Sequence, residues 1–301
     1  MSNSTGPVIA AVFTGVQVGA ALVVSRYVID QTTPSTLAML RYSIGFICLF
    51  PVALFISRIR FKAADILPIC ILGIFQFGIL VALLNYSLQY MSSARVAIIF
   101  ATFPLQTMLL AALFGKETLS WTKSLGVLLT ILGVAITLGE DLYHSNTNNN
   151  EILAAAAVGL SAFIGSVCSI LYRPYLERYP AQNISVLAML ASVSALLIFS
   201  YLEDGLSTIA TITNSGWLAI LFVGVSSGIG YFAWLWSLKN LSPTRVTMFL
   251  SLGPVSSAVL GSIFLSEVIT WFLVAGMFLV ISGLILGLWR PRSTLETAGP
   301  P

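Results

Sequence analysis

The sequence predicts an all-α membrane protein with ten transmembrane helices arranged as two inverted five-helix repeats. Three observations lead to this fold class. The chain has 301 residues, of which 57% are hydrophobic and only 8% are charged, and its mean hydropathy is +0.96. Its apolar residues form ten runs of membrane-spanning length, and its second half repeats its first. A soluble domain of this size would need many more charged side chains to cover its surface.

The ten apolar runs predict the helices in order. A helix needs about 20 mainly apolar residues to cross a hydrocarbon core of about 30 Å. The runs lie at residues 7–29, 34–57, 65–89, 94–115, 120–139, 152–173, 182–202, 214–238, 244–265 and 269–289. The longest polar connection, residues 139–151, is too short for a soluble domain. The first run lacks the basic leader and cleavage site of a signal peptide, so we expect it to be retained.

A duplication relates the two halves of the chain at a constant offset of 150 residues. The repeated residues are rare types in this composition: Arg95, Pro104, Glu117, Trp121, Gly126 and Gly133 recur as Arg245, Pro254, Glu267, Trp271, Gly276 and Gly283. Such matches indicate internal duplication, a common construction among secondary transporters. The predicted units are a first five-helix repeat (1–139), an outer linker (140–151), a second, inverted repeat (152–289) and a cytoplasmic tail (290–301).

The basic residues predict the orientation of the chain. With a cytoplasmic N-terminus, the outer side carries only Arg26 and Arg95. The cytoplasmic side then carries Arg58, Arg60, Lys62, Lys116, Lys123, Arg173, Arg178, Lys239, Arg245, Arg290 and Arg292. This bias predicts a multi-pass protein of the cytoplasmic (inner) membrane with both termini in the cytoplasm. Because each repeat has an odd number of spans, the second repeat must be inverted relative to the first.

Composition argues against several other classes. Cys48, Cys70 and Cys168 each fall inside a predicted span and share no metal-ligand spacing, so we expect no metal and no cofactor. Membrane topology explains the net charge of +3, so we expect no nucleic-acid partner. Lipid and a small-molecule substrate are the expected partners, and homo-oligomer formation stays open.

Two matching segments carry a family resemblance. LFGKETLSWTKSLGVLLTILGV, from Leu113, and IFLSEVITWFLVAGMFLVISGL, from Ile263, resemble the fourth-to-fifth helix signature of EamA-type transporters in the drug/metabolite transporter superfamily. The LRY stretch at Leu40–Tyr42 and the glycine spacing after each Glu fit the same family. The resemblance implies a helical basket whose central cavity is lined by the first, third and fourth spans and by the sixth, eighth and ninth. In length and architecture the chain is also similar to bacterial exporters of aromatic amino acids.

Polar residues on one face of a span are candidates for a substrate pathway. Arg95, Thr102 and Gln106 share a face of the fourth span, and Ser161 and Tyr172 share a face of the sixth. In the third span Gln76 and Asn85 lie on nearly opposite faces, so only one of them can point at the cavity. The other candidates are Gln17, Ser227, Tyr231, Trp234 and Ser251. The alternative for Ser, Thr, Asn and Gln is hydrogen bonding between helices, and for the aromatic residues it is ordinary packing.

Other residues, several of them repeated, have predicted structural roles. Arg41 and Arg95 lie near the outer ends of their spans, so snorkelling to the interface is an alternative to a functional role for each. Pro104 and Pro254 lie within equivalent spans and are either hinges or static kinks. Glu117 and Glu267 are read as carboxylates that accept backbone N–H groups at a helix start, with Ser120 and Thr270 as caps.

The predicted function is secondary transport of a small organic metabolite, an amino acid or similar compound, out of the cell by alternating access. Other members of the family move other metabolites or drug-like cations, and these remain alternatives. A channel or a non-transporting scaffold is a further alternative. Gly224–Gly228 reads GVSSG and matches a hydrolase nucleophile pattern, but the only histidine, His144, lies in a loop. We therefore expect no enzymatic activity.

Overall fold

A computed structural model describes residues 5–56, 60–114, 121–143 and 149–288, and every regular element within these ranges is helical. The first half contains α1 (Thr5–Val28), α2 (Pro34–Ile56), α3 (Ala63–Gly73), α4 (Leu80–Leu88), α5 (Ser93–Phe100), α6 (Phe103–Leu113) and α7 (Trp121–Tyr143). The second half contains α8 (Asn149–Leu171), α9 (Arg173–Arg178), α10 (Ala181–Leu202), α11 (Asn214–Asn240), α12 (Pro243–Met248), α13 (Leu252–Leu265) and α14 (Trp271–Leu288). Short 3-10 turns follow α1 and α10.

Many of these helices are suited to a membrane. Among the described residues, seven helical segments are long and apolar enough to cross one. They are Thr5–Gln31, Ala63–Leu88, Ser93–Leu113, Asn149–Arg178, Ala181–Leu202, Asn214–Asn240 and Arg245–Leu265. Shorter apolar helices occur at Ser124–Leu138 and Trp271–Leu286. The chain is therefore a multi-pass integral membrane protein, whereas the count of ten spans stays a prediction.

Two of the segments are interrupted where the sequence places a proline. Residues 101 and 102 separate α5 from α6, and Pro104 lies in the first turn of α6. In the second half a 3-10 turn, Phe249–Ser251, separates α12 from α13, and Pro254 follows at the third residue of α13. Proline lacks the N–H that a continuous helix would need, so a helix tends to break just before it.

A third interruption occurs between α3 and α4. Residues Ile74–Ile79 form a π-helical turn, although this stretch contains no proline. π-helical turns are rare in proteins overall, but those that occur are often found at functional sites. The corresponding positions, 150 residues further along the chain, lie in α11, which is a continuous α-helix there.

Contacts between helices come in pairs related by the 150-residue offset. Helix α1 packs on α11 and α13, and helix α8 packs correspondingly on α4 and α6. Ser87 of α4 donates hydrogen bonds to the carbonyls of Leu83 and Ala154, both at 2.8 Å. Ser237 of α11 donates in the same way to those of Ala233 at 2.8 Å and Pro7 at 2.9 Å. Each half thus binds its third helical segment to the first helix of the other half.

Helices α7 and α14 pack against each other through glycines. A Cβ atom added at Gly276 would lie 2.7 Å from the carbonyl oxygen of Gly133, and one at Gly283 would lie 2.6 Å from that of Gly126. Backbone contact this close excludes any side chain larger than hydrogen. It is typical of small-residue packing between membrane helices.

A charged cluster joins α3 to the α9–α10 connection. The Asp65 carboxylate accepts hydrogen bonds from the Tyr179 hydroxyl at 2.6 Å and from Arg178 Nη1 at 3.2 Å. The backbone N–H of Lys62 donates to the same hydroxyl at 3.1 Å. Because Tyr179 donates to the Asp65 carboxylate, its pKa is raised above the ordinary value for tyrosine.

An uncharged cluster occupies the corresponding place at the other end of the bundle. Gln31 Oε1 accepts hydrogen bonds from the backbone N–H of Thr213 at 3.0 Å and from its hydroxyl at 2.9 Å. Tyr27 and Ser215, the residue 150 positions after Asp65, are joined by their hydroxyls at 3.1 Å. The two halves therefore contact each other at both ends, and among the described residues the Asp65–Arg178 ion pair joins the halves at one of them.

Candidate functional site

A cavity of about 90 Å³ lies between the two halves of the helix bundle. Its lining comes from α1, α2, the π-helical turn, α4, the ends of α5 and α6, α11 and the 3-10 turn at Phe249–Ser251. The lining residues are Thr14, Gln17, Val18, Leu22, Arg41, Tyr42, Gln76, Phe77, Leu80, Val81, Leu84, Phe100, Phe103, Ser227, Gly230, Tyr231, Trp234 and Leu250. All three helix interruptions therefore reach the cavity.

Two facing walls of the cavity use equivalent positions of the two halves. We call Phe77, Leu80, Val81 and Leu84 the first wall. We call Ser227, Gly230, Tyr231 and Trp234 the second wall. Each residue of the second wall lies 150 positions after one of the first, and Phe100 and Leu250 have the same relation. The cavity is thus centred where the two halves meet.

Ser227 is the centre of a hydrogen-bond network between three helices. Its hydroxyl accepts from Arg41 Nε at 2.7 Å and from Gln17 Nε2 at 3.3 Å, and it donates to the carbonyl of Val223. A serine hydroxyl has one donor and two acceptor sites, so these three bonds saturate it. Ser227 therefore positions Arg41 and Gln17 and has no further hydrogen bond to offer a ligand.

Arg41 is the one charged residue among the described residues of the lining. Its side chain is buried, with 8% of the residue exposed, and its guanidinium lies 5.3 Å from the centre of the Tyr42 ring. No carboxylate of the described residues forms an ion pair with it. An arginine at membrane depth costs about 2.5–3.5 kcal/mol on insertion scales, so an uncompensated one points to a functional site.

Aromatic rings form much of the remaining lining. The ring of Phe77 lies edge-on to that of Tyr231 with centroids 4.0 Å apart, and its centroid is 4.8 Å from that of Tyr42. Across the cavity, Phe103 and Trp234 have centroids 5.9 Å apart. Rings at these distances pack favourably and present an apolar surface to the space between them.

Gln76 projects from the π-helical turn. Its side chain is half-buried, and among the described residues its Oε1 atom has no hydrogen-bond partner although it is shielded from solvent. The two ends of an amide are assigned from their surroundings, but in either orientation one polar atom stays unpaired. A buried polar atom without a partner is unfavourable, so Gln76 is available to a molecule inside the cavity.

The predicted pathway residues divide into two groups. The cavity lining contains Gln17, Gln76, Ser227, Tyr231 and Trp234. Outside it lie Asn85, Arg95, Thr102, Gln106, Ser161, Tyr172 and Ser251. The Gln76 face of the third segment meets the cavity, and the opposite face, that of Asn85, does not. The Asn85 amide instead donates to the carbonyl of Pro34 at 3.0 Å.

The residues outside the lining contact other helices. The Gln106 amide donates to Thr102 Oγ1 at 3.1 Å and to the carbonyl of Gly159 in α8 at 3.4 Å. Ser161 and Ser251 donate to carbonyls of their own helical turns, at 2.8 Å in each case. Tyr172 is fully buried behind Tyr231. Arg95 is half-buried at the start of α5, where Ser92 caps the helix by accepting from its backbone N–H.

Glu267 accepts hydrogen bonds at a helix start, but the helix belongs to the other half. Its carboxylate receives the backbone N–H of Ser93 at 2.9 Å and the Ser93 hydroxyl at 2.7 Å, at the beginning of α5. Thr270 caps the start of α14 by accepting from the N–H of Leu273 at 3.2 Å. Glu117 and Ser120 lie outside the described residues.

The lining differs from the one implied by the family resemblance. The sixth span, α8, contributes no residue to the described lining, whereas the second span contributes Arg41 and Tyr42. A Cβ atom added at Gly165 of α8 would lie 2.8 Å from the ring of Phe103 and 2.9 Å from Leu80. Helix α8 therefore packs behind residues of the lining, and the expected set of cavity helices was wrong in this respect.

Arg41 is the functional candidate that helical-face reasoning did not select. Its position near the predicted end of a span made snorkelling to the interface a sufficient explanation. The structure instead turns the side chain inward to Ser227. The available signal was the presence of an arginine within an apolar run, which is a reason for functional interest by itself.

Comparison with known proteins identifies the class of the chain. The profile of the EamA-like transporter family matches residues 5–139 and again residues 151–289. The chain belongs to the EamA-like transporter family. The family profile thus matches twice, once in each half of the molecule that contributes to the cavity.

Curated relatives of this EamA-like chain are named as transporters. An uncharacterized transporter of Archaeoglobus fulgidus is 26% identical over 89% of this chain and 93% of its own length. YyaM of Bacillus subtilis, also an uncharacterized transporter, is 25% identical over 89% of this chain and 88% of its own. A Streptantibioticus cattleyicolor protein named "Probable terminal-alkyne amino-acid exporter" is 26% identical over 75% of this chain and 74% of its own.

A solved crystal structure shares the fold of the EamA-like chain. It has a TM-score of 0.73 at 20% sequence identity and covers 99% of this chain and 100% of its own. At this identity the likeness extends to the fold alone. The family match and the apolar helical segments identify the protein as a membrane transporter.

Proposed function

We propose that this protein is a secondary transporter that exports a small organic metabolite, an amino acid or a similar compound, across the cytoplasmic membrane. In this proposal the two halves are inverted repeats, and the cavity between them opens to one side of the membrane at a time. The cavity is the substrate site, and each half takes in turn the conformation of the other.

The observation that carries the proposal is the equivalence of the two walls. Phe77 and Ser227, Leu80 and Gly230, Val81 and Tyr231, and Leu84 and Trp234 are related by the repeat offset and face one space. A site on the boundary between repeats is where alternating access requires it. Interrupted helices at the cavity support the same mechanism, because irregular backbone at membrane depth is tolerated where it lines a cavity.

The size of the cavity supports a small substrate. A cavity of about 150 Å³ holds benzene, whereas this one measures about 90 Å³. An aromatic amino acid would therefore fit only after the walls separate. A small aliphatic compound requires less movement, and the relative named as an exporter of a terminal-alkyne amino acid supports a substrate of amino-acid type.

The lining also bears on the energy source. Proton coupling ordinarily uses a carboxylate or histidine within the pathway. The described lining residues include neither. The sequence has no P-loop, so direct drive by ATP is not proposed. Facilitated diffusion or exchange against another solute is the proposed mode.

Orientation completes the proposal. The excess of Lys and Arg in alternate loops favours a cytoplasmic location for both termini. In that orientation the Asp65–Arg178–Tyr179 cluster lies at the cytoplasmic end of the bundle, and the Gln31–Thr213 and Tyr27–Ser215 contacts lie at the outer end.

Counterflow in liposomes tests the transport proposal. Purified protein is reconstituted, loaded with a pool of unlabelled metabolites and supplied with labelled compounds one at a time. We expect saturable accumulation of a small set of related compounds. Protein-free liposomes measure leakage, and an EamA-family transporter of established activity controls for reconstitution. The proposal would be contradicted if the control transporter is active and this protein moves no compound of a broad panel.

Cysteine accessibility tests alternating access. Val18 and Val81 line the cavity and make no side-chain hydrogen bonds, so cysteine at either position disturbs little. Cys48, Cys70 and Cys168 are first replaced. Membrane-impermeant thiol reagents added from either side should modify each new cysteine. A transported substrate should raise the rate of modification from one side of the membrane and lower it from the other. Access from one side only, whether or not substrate is present, would indicate a static scaffold.

A further inference from the structure

We infer that the cavity selects substrates bearing a carboxylate and that Arg41 is the residue that binds it. This inference rests on the proposed function, because it assigns the substrate class of the same cavity. It concerns a residue of the second span within the LRY stretch, to which neither the family match nor the names of the relatives assign a role.

The first step is the hydrogen-bond state of the Arg41 guanidinium. An arginine offers five N–H donors. Only Nε has an acceptor among the described residues, namely the Ser227 hydroxyl at 2.7 Å. No protein acceptor in that part of the chain meets Nη1 or Nη2, so four donors remain for a ligand or water. Two parallel N–H groups of this kind match the two oxygens of a carboxylate.

The second step is the fixed orientation of the side chain. Ser227 holds Nε from α11, and the ring of Tyr42 lies under the guanidinium with 5.3 Å between its centroid and Cζ. Gln17 secures the same serine from α1. These contacts restrict the rotamers that Arg41 would otherwise sample, so a ligand meets a positioned group and little conformational entropy is lost on binding.

The third step is the charge balance of the lining. Arg41 contributes a positive charge, and the described lining residues contain no carboxylate to offset it. A cationic substrate would therefore meet repulsion in a space of low dielectric constant, whereas an anionic group would compensate the buried charge. This balance argues against the drug-like cations that other members of the family carry.

The remaining lining indicates what accompanies the carboxylate. Gln76 presents a polar atom without a partner, which can accept an N–H or O–H group of the substrate. Phe77, Tyr231 and Trp234 present apolar ring surface. A small 2-amino or 2-hydroxy carboxylate with an apolar side chain satisfies all of these groups at once.

The test varies head group and size independently. Nine compounds are used: lactate, alanine and alaninol; 2-hydroxyisocaproate, leucine and leucinol; phenyllactate, phenylalanine and phenylalaninol. Within each series the side chain is constant, and only the amino alcohol lacks the carboxylate. Binding to the purified full chain is measured by ligand-induced thermal stabilisation, and transport by competition in the counterflow assay.

We expect the hydroxy acid and the amino acid of at least one series to bind and compete, and the matching amino alcohol to do neither. Arg41→Gln should weaken carboxylate binding by about 30-fold or more, as expected when one partner of a buried charge pair is removed. The matched control is Arg26→Gln, because Arg26 is a half-buried residue paired with Asp30 at 3.1 Å and does not belong to the lining. This variant should bind the same compounds as the native protein.

A conservative variant separates binding from folding. Arg41→Lys keeps the charge but loses the paired donors, so it should retain the preference for acids over amino alcohols with weaker affinity. Melting temperatures without ligand show whether each variant folds. A purely structural role would lower those temperatures and leave the head-group preference unchanged, which would overturn the inference.

The outcomes also separate this inference from the transport proposal. If the native protein transports amino alcohols or any other compound without a carboxylate, and no acid competes, the assignment to Arg41 is wrong while transport stands. If acids bind Arg41→Gln as tightly as the native protein, the assignment is again wrong. If neither the nine compounds nor the broad panel is moved, the proposed function itself fails.

Discussion

The first and second walls of the cavity occupy equivalent positions in the two halves but carry different side chains. The first wall is aliphatic apart from Phe77, and it begins within a π-helical turn. The second wall lies on an uninterrupted helix. It consists of Ser227, whose hydrogen-bonding sites are all occupied, a glycine and two large aromatic residues. The two walls therefore differ both in the winding of their backbone and in the side chains substituted between the copies.

The comparison locates where selectivity can reside. A substrate between the walls contacts both at once and meets bulky rings on one side and short aliphatic groups on the other. The repeat-related pair Gln76 and Ser226 also differs in size, but there the larger residue belongs to the first half. Exchanging residues between the walls should therefore change transport before it changes the fold.

The largest effect is expected from Leu84→Trp, which gives the first wall the bulky residue of the second. A cavity of about 90 Å³ cannot admit a second indole ring, and overpacking forces neighbouring side chains out of place. Counterflow should fall to the level of protein-free liposomes. Leu218→Trp is the control, since Leu218 of α11 is 69% exposed and should accept the ring on the outer surface. Equal loss in both variants would mean that the cavity is not the route.

A smaller effect is expected from Trp234→Leu, which gives the second wall the residue of the first. The variant loses the ring contact with Phe103 and about 1 kcal/mol of aromatic pairing, together with contact area for the substrate. We expect about a 10-fold loss of affinity, with selectivity shifted toward larger side chains. Trp236→Leu is the matched control two residues further along the same helix, because Trp236 does not line the cavity. Unchanged selectivity in Trp234→Leu would contradict the role of the second wall.

A third change, Gly230→Ala, tests the space beside Gln17. The added Cβ would lie 2.8 Å from Gln17 Oε1, so that side chain must move and release Ser226 and Ser227. Loss of one net hydrogen bond, about 1 kcal/mol, should reduce transport by about 5-fold. At Gly159 an added Cβ meets nothing within 4 Å, so Gly159→Ala should keep transport and gain up to about 1 kcal/mol from helix propensity. Similar transport by Gly230→Ala and Gly159→Ala would show that Gln17 does not contribute to the transport site.

The smallest effect on stability is expected from Gln76→Met. The amide oxygen has no partner to lose, so the free energy of unfolding should stay within about 1 kcal/mol of the native value or rise slightly. Substrate affinity should still fall. Gln106→Met provides the contrast, because the Gln106 oxygen is also unpaired but its amide nitrogen donates to Thr102 and Gly159 outside the cavity. It should lower the melting temperature and preserve selectivity, and the reverse pattern would reassign both glutamines.

Much of the framework is readable from the sequence, because each cause is local. Apolar run length predicted helical segments, and Pro104 and Pro254 predicted where two of them break. The face of the eighth span that carries Ser227, Tyr231 and Trp234 does meet the cavity. In these cases the property used for the prediction also determines the structure. That property is the length of an apolar run or the spacing of residues along one helix.

The remainder depends on which helices become neighbours. Arg95, Thr102 and Gln106 share a face as predicted by spacing, but Gln106 meets α8 and none of the three lines the cavity. Periodicity identifies a face without identifying what lies opposite. For Arg41 the sequence left a functional role and snorkelling as alternatives for the same reason, since only the position of Ser227 on another helix draws it inward. The π-helical turn at Ile74–Ile79 has no proline or glycine pattern that would predict it.

The π-helical turn has a consequence for how the two copies are related. The turn involves no change in chain length between the two copies. Asp65 and Ser215 before the turn, and Ser87 and Ser237 after it, make equivalent contacts and keep the same spacing of 150. Equal lengths of chain are therefore wound in two different ways within one molecule. The third segment and α11 thus differ in winding over a single turn, although they correspond to each other at the repeat offset.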